Sequence, residues 1–213
     1  MFESGVHSSG TVKCVDERCL ARADEYLTHP SFGEDLRGFW ISKYEVSKDS
    51  KFIPNVESLR NDSLDNYKNM MNNLSMVYGI EEMVDSHVVS NLEWGATLYL
   101  SHSKYGVCAN GVCEKIGVNQ SFVSETNKMD TTTRNVYGVY DMAGASAEYV
   151  VGNTGFGSAM DEVKISENET WYDGNYINSY KDYTIRGGVD KGMFFTSDIG
   201  MFDVSTRSVL TKK

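Results

Sequence analysis

The chain has 213 residues and a mass of 23.8 kDa, with 40% hydrophobic and 23% charged residues. That is ordinary globular usage, long enough for one large domain or two small ones with a real core, and it excludes a disordered, collagen-like or long coiled-coil protein. A net charge of -10 and a pI of about 4.9 speak against general binding to nucleic acid, which needs a basic surface, and no apolar run approaches the roughly 20 residues of a membrane helix.

Residues 1–30 are polar and patternless apart from a pair of cysteines. The opening Met1-Phe2-Glu3-Ser4-Gly5 has neither a basic start nor an apolar stretch, so the chain is expected to be cytosolic, or the mature or trimmed piece of an exported protein. The cysteines bear on that choice. Cys14 and Cys19 bracket four residues, and so do Cys108 and Cys113, with Asn110-Gly111 supplying a turn inside the second pair. Two local disulfides are the favoured reading and imply an oxidising compartment. A zinc site made of both pairs, for which this spacing is marginal, and free thiols are the alternatives.

Gly38 to Val46 alternates, with Phe39, Ile41, Tyr44 and Val46 apolar, and predicts a strand. Ser47 to Pro54 follows as a loop. Residues 62–77 read as a helix, capped by Asp62 or Ser63, with Leu64, Tyr67, Met71, Leu74 and Val77 along one stripe. A second helix is predicted over 90–105. Ser90-Asn91-Leu92-Glu93 forms its capping box, and Gly106 stops it. Residues 107–135 are a long polar stretch. Beyond 136 the chain is short apolar runs broken by glycine: Val136–Val151, Tyr183–Val189, Met193–Phe195 and Ser205–Leu210. The expected class is α+β, with a small curled sheet and much irregular chain.

Three segments go beyond composition: Gly38-Phe39-Trp40-Ile41-Ser42-Lys43-Tyr44-Glu45-Val46; Ser90-Asn91-Leu92-Glu93-Trp94-Gly95-Ala96 with Tyr99-Leu100; and Asn135-Val136-Tyr137-Gly138-Val139-Tyr140-Asp141-Met142-Ala143-Gly144 continuing through Ala145-Ser146-Ala147-Glu148-Tyr149-Val150. Ile185-Arg186-Gly187-Gly188 and Thr206-Arg207-Ser208-Val209-Leu210 complete the series. In this order they resemble the sulfatase-modifying-factor domain, the family of the formylglycine-generating enzyme, and are most similar to its exported, non-catalytic members in Firmicutes. The resemblance runs over about residues 36–210. It implies a C-type-lectin-like fold for a domain of residues 36–213, preceded by an extension of residues 1–35, with Phe39–Val46 lying beside Thr206–Leu210.

The resembled enzyme is an oxidase that holds copper through two cysteines between its Arg-Gly-Gly motif and the final arginine. Here the interval Val189 to Thr206 contains no cysteine. A thiolate copper site needs those thiols, so no copper and no catalytic residue are expected. The four histidines, His7, His29, His87 and His102, sit apart and are read as polar or capping groups. Gly152-Asn153-Thr154-Gly155-Phe156-Gly157 lacks the lysine of a phosphate loop.

The resemblance also implies a structural calcium site at Asp141, Gly144, Ser146 and Glu148, the outer two through side chains and the inner two through carbonyls. Calcium takes roughly six or more oxygens, and a tight turn at Gly144 can aim carbonyls inward. Asp141 and Glu148 bonded to loop amides is the alternative. Arg186 and Arg207 are read as ties between loop carbonyls and carboxylates, and Trp40 and Trp94 as core. In the family, the stretch from Lys191 to Val204 forms the exposed ligand face. Phe194, Phe195, Ser197, Asp198, Met201 and Asp203, with Tyr176 from the tyrosine- and asparagine-rich run 171–180, are the candidate binding residues. Asn168-Glu169-Thr170 matches a glycosylation sequon by pattern only.

The expected function is a non-catalytic ligand-binding domain, extracellular or on a cell surface or phage particle, meeting a protein or glycan. The variable target protein of a diversity-generating retroelement, a divergent oxidoreductase of the same family, and a structural subunit such as a pilus or tail tip are the alternatives.

Overall fold

The computed structural model describes residues 38–101, 106, 108–109, 112–113, 117–124, 127–151, 161–166, 169–173, 183–189, 196–197 and 203–213. The extension of residues 1–35, Cys14, Cys19, Tyr176, Phe194, Phe195, Asp198 and Met201 lie outside them. The elements in chain order are β1 (Phe39–Ile41), α1 (Leu64–Asn72), α2 (Leu74–Val77), β2 (Val84–Val88), α3 (Asn91–Ser101), β3 (Cys108–Ala109) and β4 (Val112–Cys113). They continue as β5 (Ala147–Val151), β6 (Asp161–Ser166), β7 (Glu169–Asp173), β8 (Tyr183–Gly187), β9 (Thr196–Ser197), β10 (Val204–Ser205) and β11 (Ser208–Lys212). The class is α+β.

The first and last strands pair antiparallel, Phe39 opposite Thr211, Trp40 opposite Leu210 and Ile41 opposite Val209. Beyond β1 the chain bends at Ser42–Tyr44, where the Ser42 hydroxyl donates to the Tyr44 carbonyl. It then regains the partner strand, with Val46 N–H donating to the Thr206 carbonyl. The strand expected across 38–46 is thus two extended pieces around a bend. The bend lets the Tyr44 ring stack on Tyr140, centroids 4.9 Å apart, and turns Glu45 into the interior. On the other side of β11 lies β2, giving the order β1-β11-β2. A second sheet runs β10-β5-β8-β9, its β10–β5 pair parallel. The hairpins β3–β4 and β6–β7 stand apart from both sheets.

The helices follow their sequence signals, with one correction. Ser63 caps α1, its hydroxyl accepting from Asn66 N–H at 3.1 Å. Tyr67 and Met71 enter the core with Val46 and Val88. The stripe does not continue to Val77, which is 75% exposed. The helix breaks at Asn73, and the change of phase turns Ser75 inward instead, where its N–H donates to Ser86 Oγ of β2 at 2.9 Å. Trp94 is fully buried, whereas Trp40, expected in the core, is 62% exposed on edge strand β1. The Tyr67 hydroxyl lies 2.9 Å from the Leu59 carbonyl and 3.1 Å from that of Val204, so one phenol links the helix layer to β10.

The capping box of α3 forms as its residues require. Glu93 N–H donates to Ser90 Oγ at 3.2 Å, and Ser90 N–H donates to Glu93 Oε2 at 2.8 Å. His87 Nε2 adds contacts of 3.0 and 3.2 Å to the same carboxylate, joining β2 to the start of α3. Burial pushes the Glu93 carboxyl up, but the His87 and Ser90 hydrogen bonds outweigh it and hold the group below the usual carboxylate range. A group depressed in the folded state stabilises fully above its unfolded pKa, and that contribution is lost as pH falls through the folded value. Urea unfolding between neutral and acid pH is therefore expected to show a shallower loss of stability for Glu93→Gln than for the parent. Ser90→Ala is expected to cost about 1 kcal/mol at neutral pH.

Candidate functional site

The third sequence segment folds into a turn that leads into β5, and its charged residues converge behind the terminal strands. Asp141 takes the left-handed region (φ 63°), and so does Ala145 (φ 50°). Asp tolerates that conformation, and alanine adopts it at a cost. Gly144 lies against Asn119: a Cβ there would sit 2.3 Å from the Asn119 nitrogen, and Ala145 N–H donates to the Asn119 carbonyl at 2.8 Å. This contact requires glycine at 144, and it fixes the turn against the 117–124 loop.

Arg207, between β10 and β11, is fully buried and spans the junction. Its Nε donates to both Glu148 oxygens at 2.9 and 2.8 Å, and its Nη2 pairs with Glu148 Oε1 as well. Nη2 also donates to the Tyr140 carbonyl at 3.0 Å and Nη1 to the Ser42 carbonyl at 3.2 Å. One guanidinium thereby ties β5, the 140 loop and the end of β1, matching the role expected of it. Behind it stands Trp94, its ring centroid 5.8 Å from the Arg207 guanidinium carbon and 6.0 Å from that of Arg186, which is also buried. Gly187 takes φ +65° there, and a Cβ on it would reach 2.9 Å from the Met142 carbonyl and 3.5 Å from the Trp94 ring.

Two further carboxylates face this pair. Glu45 Oε1 accepts from Ser146 N–H at 3.0 Å, and Asp141 Oδ1 accepts from Asn119 Nδ2 at 3.0 Å. Glu45 Oε2, Asp141 Oδ2 and Ser146 Oγ are buried without a hydrogen-bond partner. Burial, then the charges of Glu148 and Asp141, push the Glu45 carboxyl well above the usual range. Burial also raises Asp141, against the Ser124 and Asn119 side chains and the Arg207 charge. Burial raises Glu148, and the Arg207 charge is the main opposing influence. Arg207 is committed to Glu148, so the negative charge left in surplus falls on Glu45 and Asp141. A proton on Glu45 or a bound cation answers that surplus.

The four positions expected to hold calcium are therefore together in space, but Glu148 offers it little. Both its oxygens are engaged by Arg207. Glu45, in the apolar alternation Tyr44-Glu45-Val46, received no role from the sequence. A charged residue on a buried strand face was the signal available. Of the expected binding residues, Ser197 lies in β9 and Asp203 is described in full. Asp203 takes φ +62°, pairs with Arg60 Nη1 and receives the Asn61 side-chain amide, so it anchors the end of its loop. Cys108 and Cys113 are directly opposite in the β3–β4 register. Such positions lie about 4.5–5.5 Å apart between Cα atoms, within the span of a disulfide. Among the described residues no cluster of three or more His, Cys, Asp or Glu side chains meets the geometry of a metal site. No helix among them is long and apolar enough to cross a membrane. In comparison with known proteins, no family model, no curated protein and no solved structure matches the chain.

Removing one partner of a buried charge pair leaves the other uncompensated, at a cost of about 3–5 kcal/mol. Arg207→Met and Glu148→Gln are each expected to lower stability on that scale in urea unfolding. The double variant is expected to be less destabilised than the sum, with the coupling read from a double-mutant cycle.

Proposed function

We propose that this chain is a non-catalytic recognition domain of C-type-lectin-like type that displays loops on a closed core, outside the cell or on a cell or phage surface. The observation that carries the reading is burial. Glu45, Asp141, Glu148, Arg186 and Arg207, five of the seven charged residues of the motif segments, are at most 2% exposed; Glu93 is buried as well, and Lys43 is half-buried. A catalytic acid, base or nucleophile must meet substrate, and perturbed groups sealed inside a core act on the fold instead. The thiols of the oxidase copper site are missing from 189–206, and no step through copper is derived. The paired chain ends support the lectin-like fold, and the Cys108–Cys113 register supports a disulfide and an oxidising compartment.

In this reading calcium, where bound, is structural. The residues that fit it are Asp141 and Glu45, through the carboxylate oxygens without partners, together with the 144–146 turn. The cation would neutralise their surplus charge and stiffen the turn. Recognition is assigned to the stretch from Lys191 to Val204 with Phe194, Phe195, Ser197, Asp198, Met201 and Asp203, and to Tyr176, with a protein or glycan as the ligand.

Two measurements test this. Calcium is expected to raise the melting temperature of the parent by a few degrees, in line with ligand linkage. Glu45→Gln is expected to abolish that rise, while a comparable rise with magnesium would point to non-specific screening. The second is binding to arrays of surface glycans and proteins. Phe194→Ala/Phe195→Ala is expected to remove the signal without moving the melting temperature. Copper-dependent oxidation of a thiol peptide would overturn the reading.

A further inference from the structure

Among the described residues, strand β1 borders no strand but β11. Ser42 N–H donates to the Ser208 carbonyl, which makes that pair a hydrogen-bonded rung of the ladder. Bonded and non-bonded rungs alternate in an antiparallel pair. Trp40 therefore bonds to Leu210, and the N–H and C=O groups of Phe39 and Ile41 point away from β11. Such an edge is a template for another strand, and folded proteins commonly blunt it with charge or proline. Gly38-Phe39-Trp40-Ile41-Ser42 carries neither. The flanking charges, Arg37 and Lys43, fall outside this stretch in the sequence, and beyond the bend the Lys43 carbonyl accepts from Tyr140 N–H.

The same edge bears an uncovered ring. Trp40 shares a sheet face with Leu210 and Ser86, the face on which Ser86 meets Ser75 of α2. Helices α1 and α2 pack on β2 and leave Trp40 62% exposed. Large apolar side chains stand out singly on many surfaces without meaning. Here the exposed ring coincides with outward-pointing backbone, and that backbone is symmetric about it. A second β1 laid antiparallel, with Trp40 opposite its own copy, sets Phe39 of each opposite Ile41 of the other. Every outward N–H and C=O is then used. A shift of one residue sets outward groups against inward ones, and a shift of two leaves half of them over. In the centred register Gly38 falls opposite Ser42 of the other copy. There is room for this: a Cβ on Gly38 would meet nothing within 4 Å, and a hollow of about 560 Å³ lies beside it, lined by Gly38, Phe39, Trp40, Lys212 and Lys213.

We propose that β1 is the contact between two copies of this chain, paired antiparallel about Trp40 into one six-stranded sheet of order β2-β11-β1-β1-β11-β2. The two indoles meet at the two-fold axis as a non-bonded rung, where aromatic pairs stabilise a sheet. Any extended peptide can use such backbone groups. A second copy is favoured because the register that uses all of them also sets ring beside ring and glycine opposite serine. Three residues bury less than the roughly 800 Å² per partner of a standard interface, so the dimer is weak. Each copy has a net charge of -10, so added salt strengthens it.

The test is sedimentation velocity of the full chain from micromolar to millimolar concentration, read beside hydrogen exchange of single amides. A reversible monomer–dimer equilibrium is expected, shifted toward dimer by salt. The Phe39 and Ile41 amides are expected to gain protection as the dimer fills, while the Trp40 amide, bonded to β11, is protected throughout. Trp40→Lys sets like charges opposite each other and is expected to weaken the dimer at least about tenfold, one decade in Kd. The side chain is exposed, so the melting temperature of the dilute protein should match the parent. Cα atoms of a non-bonded rung lie about 4.5 Å apart, within the span of a disulfide. Trp40→Cys is therefore expected to cross-link two copies at position 40 under oxidised glutathione, and Phe39→Cys, which faces Ile41, is not expected to do so. A chain that stays monomeric at every concentration overturns the proposal, as does a dimer that Trp40→Lys leaves intact. Protection of Phe39 and Ile41 that ignores concentration also overturns it, and would assign the edge to residues 1–37 of the same chain.

Discussion

The structure depends on a guanidinium and a carboxylate shut away from water. A buried ion pair recovers its desolvation cost only when geometry is good and the remaining protons find acceptors. Arg207 meets both conditions, with two contacts to Glu148 from Nε and carbonyl acceptors at Ser42 and Tyr140. Those acceptors belong to segments far apart in sequence. Satisfying one side chain therefore forces the end of β1, the 140 loop and β5 into a single arrangement. Hydrophobic burial alone is non-directional and would tolerate other arrangements of this glycine-broken chain.

The same pair explains why the surrounding loops need not be regular. The junction leaves Glu45 to receive the backbone N–H of Ser146 and Asp141 to receive the side-chain amide of Asn119, whose Nδ2 also donates to the Val123 carbonyl. Side chains thus take over the backbone satisfaction that a longer sheet would provide. The cost is an excess of buried negative charge and an alanine held at φ 50°. Local departures from ideal chemistry of this kind persist only where the surroundings over-determine them.

What could be read beforehand divides along the same physical line. Local signals were legible: the Ser90–Glu93 box, the Ser63 cap and the Tyr67–Met71 spacing each act within a few residues, and each formed. The pairing of the chain ends came from resemblance, since no local pattern in Phe39–Ile41 specifies Val209–Thr211 as partner. Strand β2 is hard to read because Val84-Asp85-Ser86-His87-Val88 carries three polar residues in a row, and these are met only by tertiary contacts, Asp85 with Lys213, Ser86 with Ser75 and His87 with Glu93. The Asn73 break was hidden for a similar reason: continuing the helix was locally reasonable, but Ser86 rewards Ser75 facing inward. At the site, position and type of Asp141 and Glu148 were legible, while their partners were not. Which carboxylate meets the arginine and which is left over is decided by three-dimensional packing.

Several non-glycine residues take left-handed backbone, and those in the loops are pinned by named bonds. Asp203 is held by Asn61 and Arg60, Arg134 N–H donates to the Thr131 carbonyl, and Asn55 N–H donates to the Ser124 carbonyl at 2.7 Å. A loop built this way has already lost most of the freedom that binding would remove. Polar bonds that would ordinarily be spent on regular sheet are used here to hold irregular chain still. Rigid irregular chain can present a side chain outward in a geometry that a helix or strand does not offer.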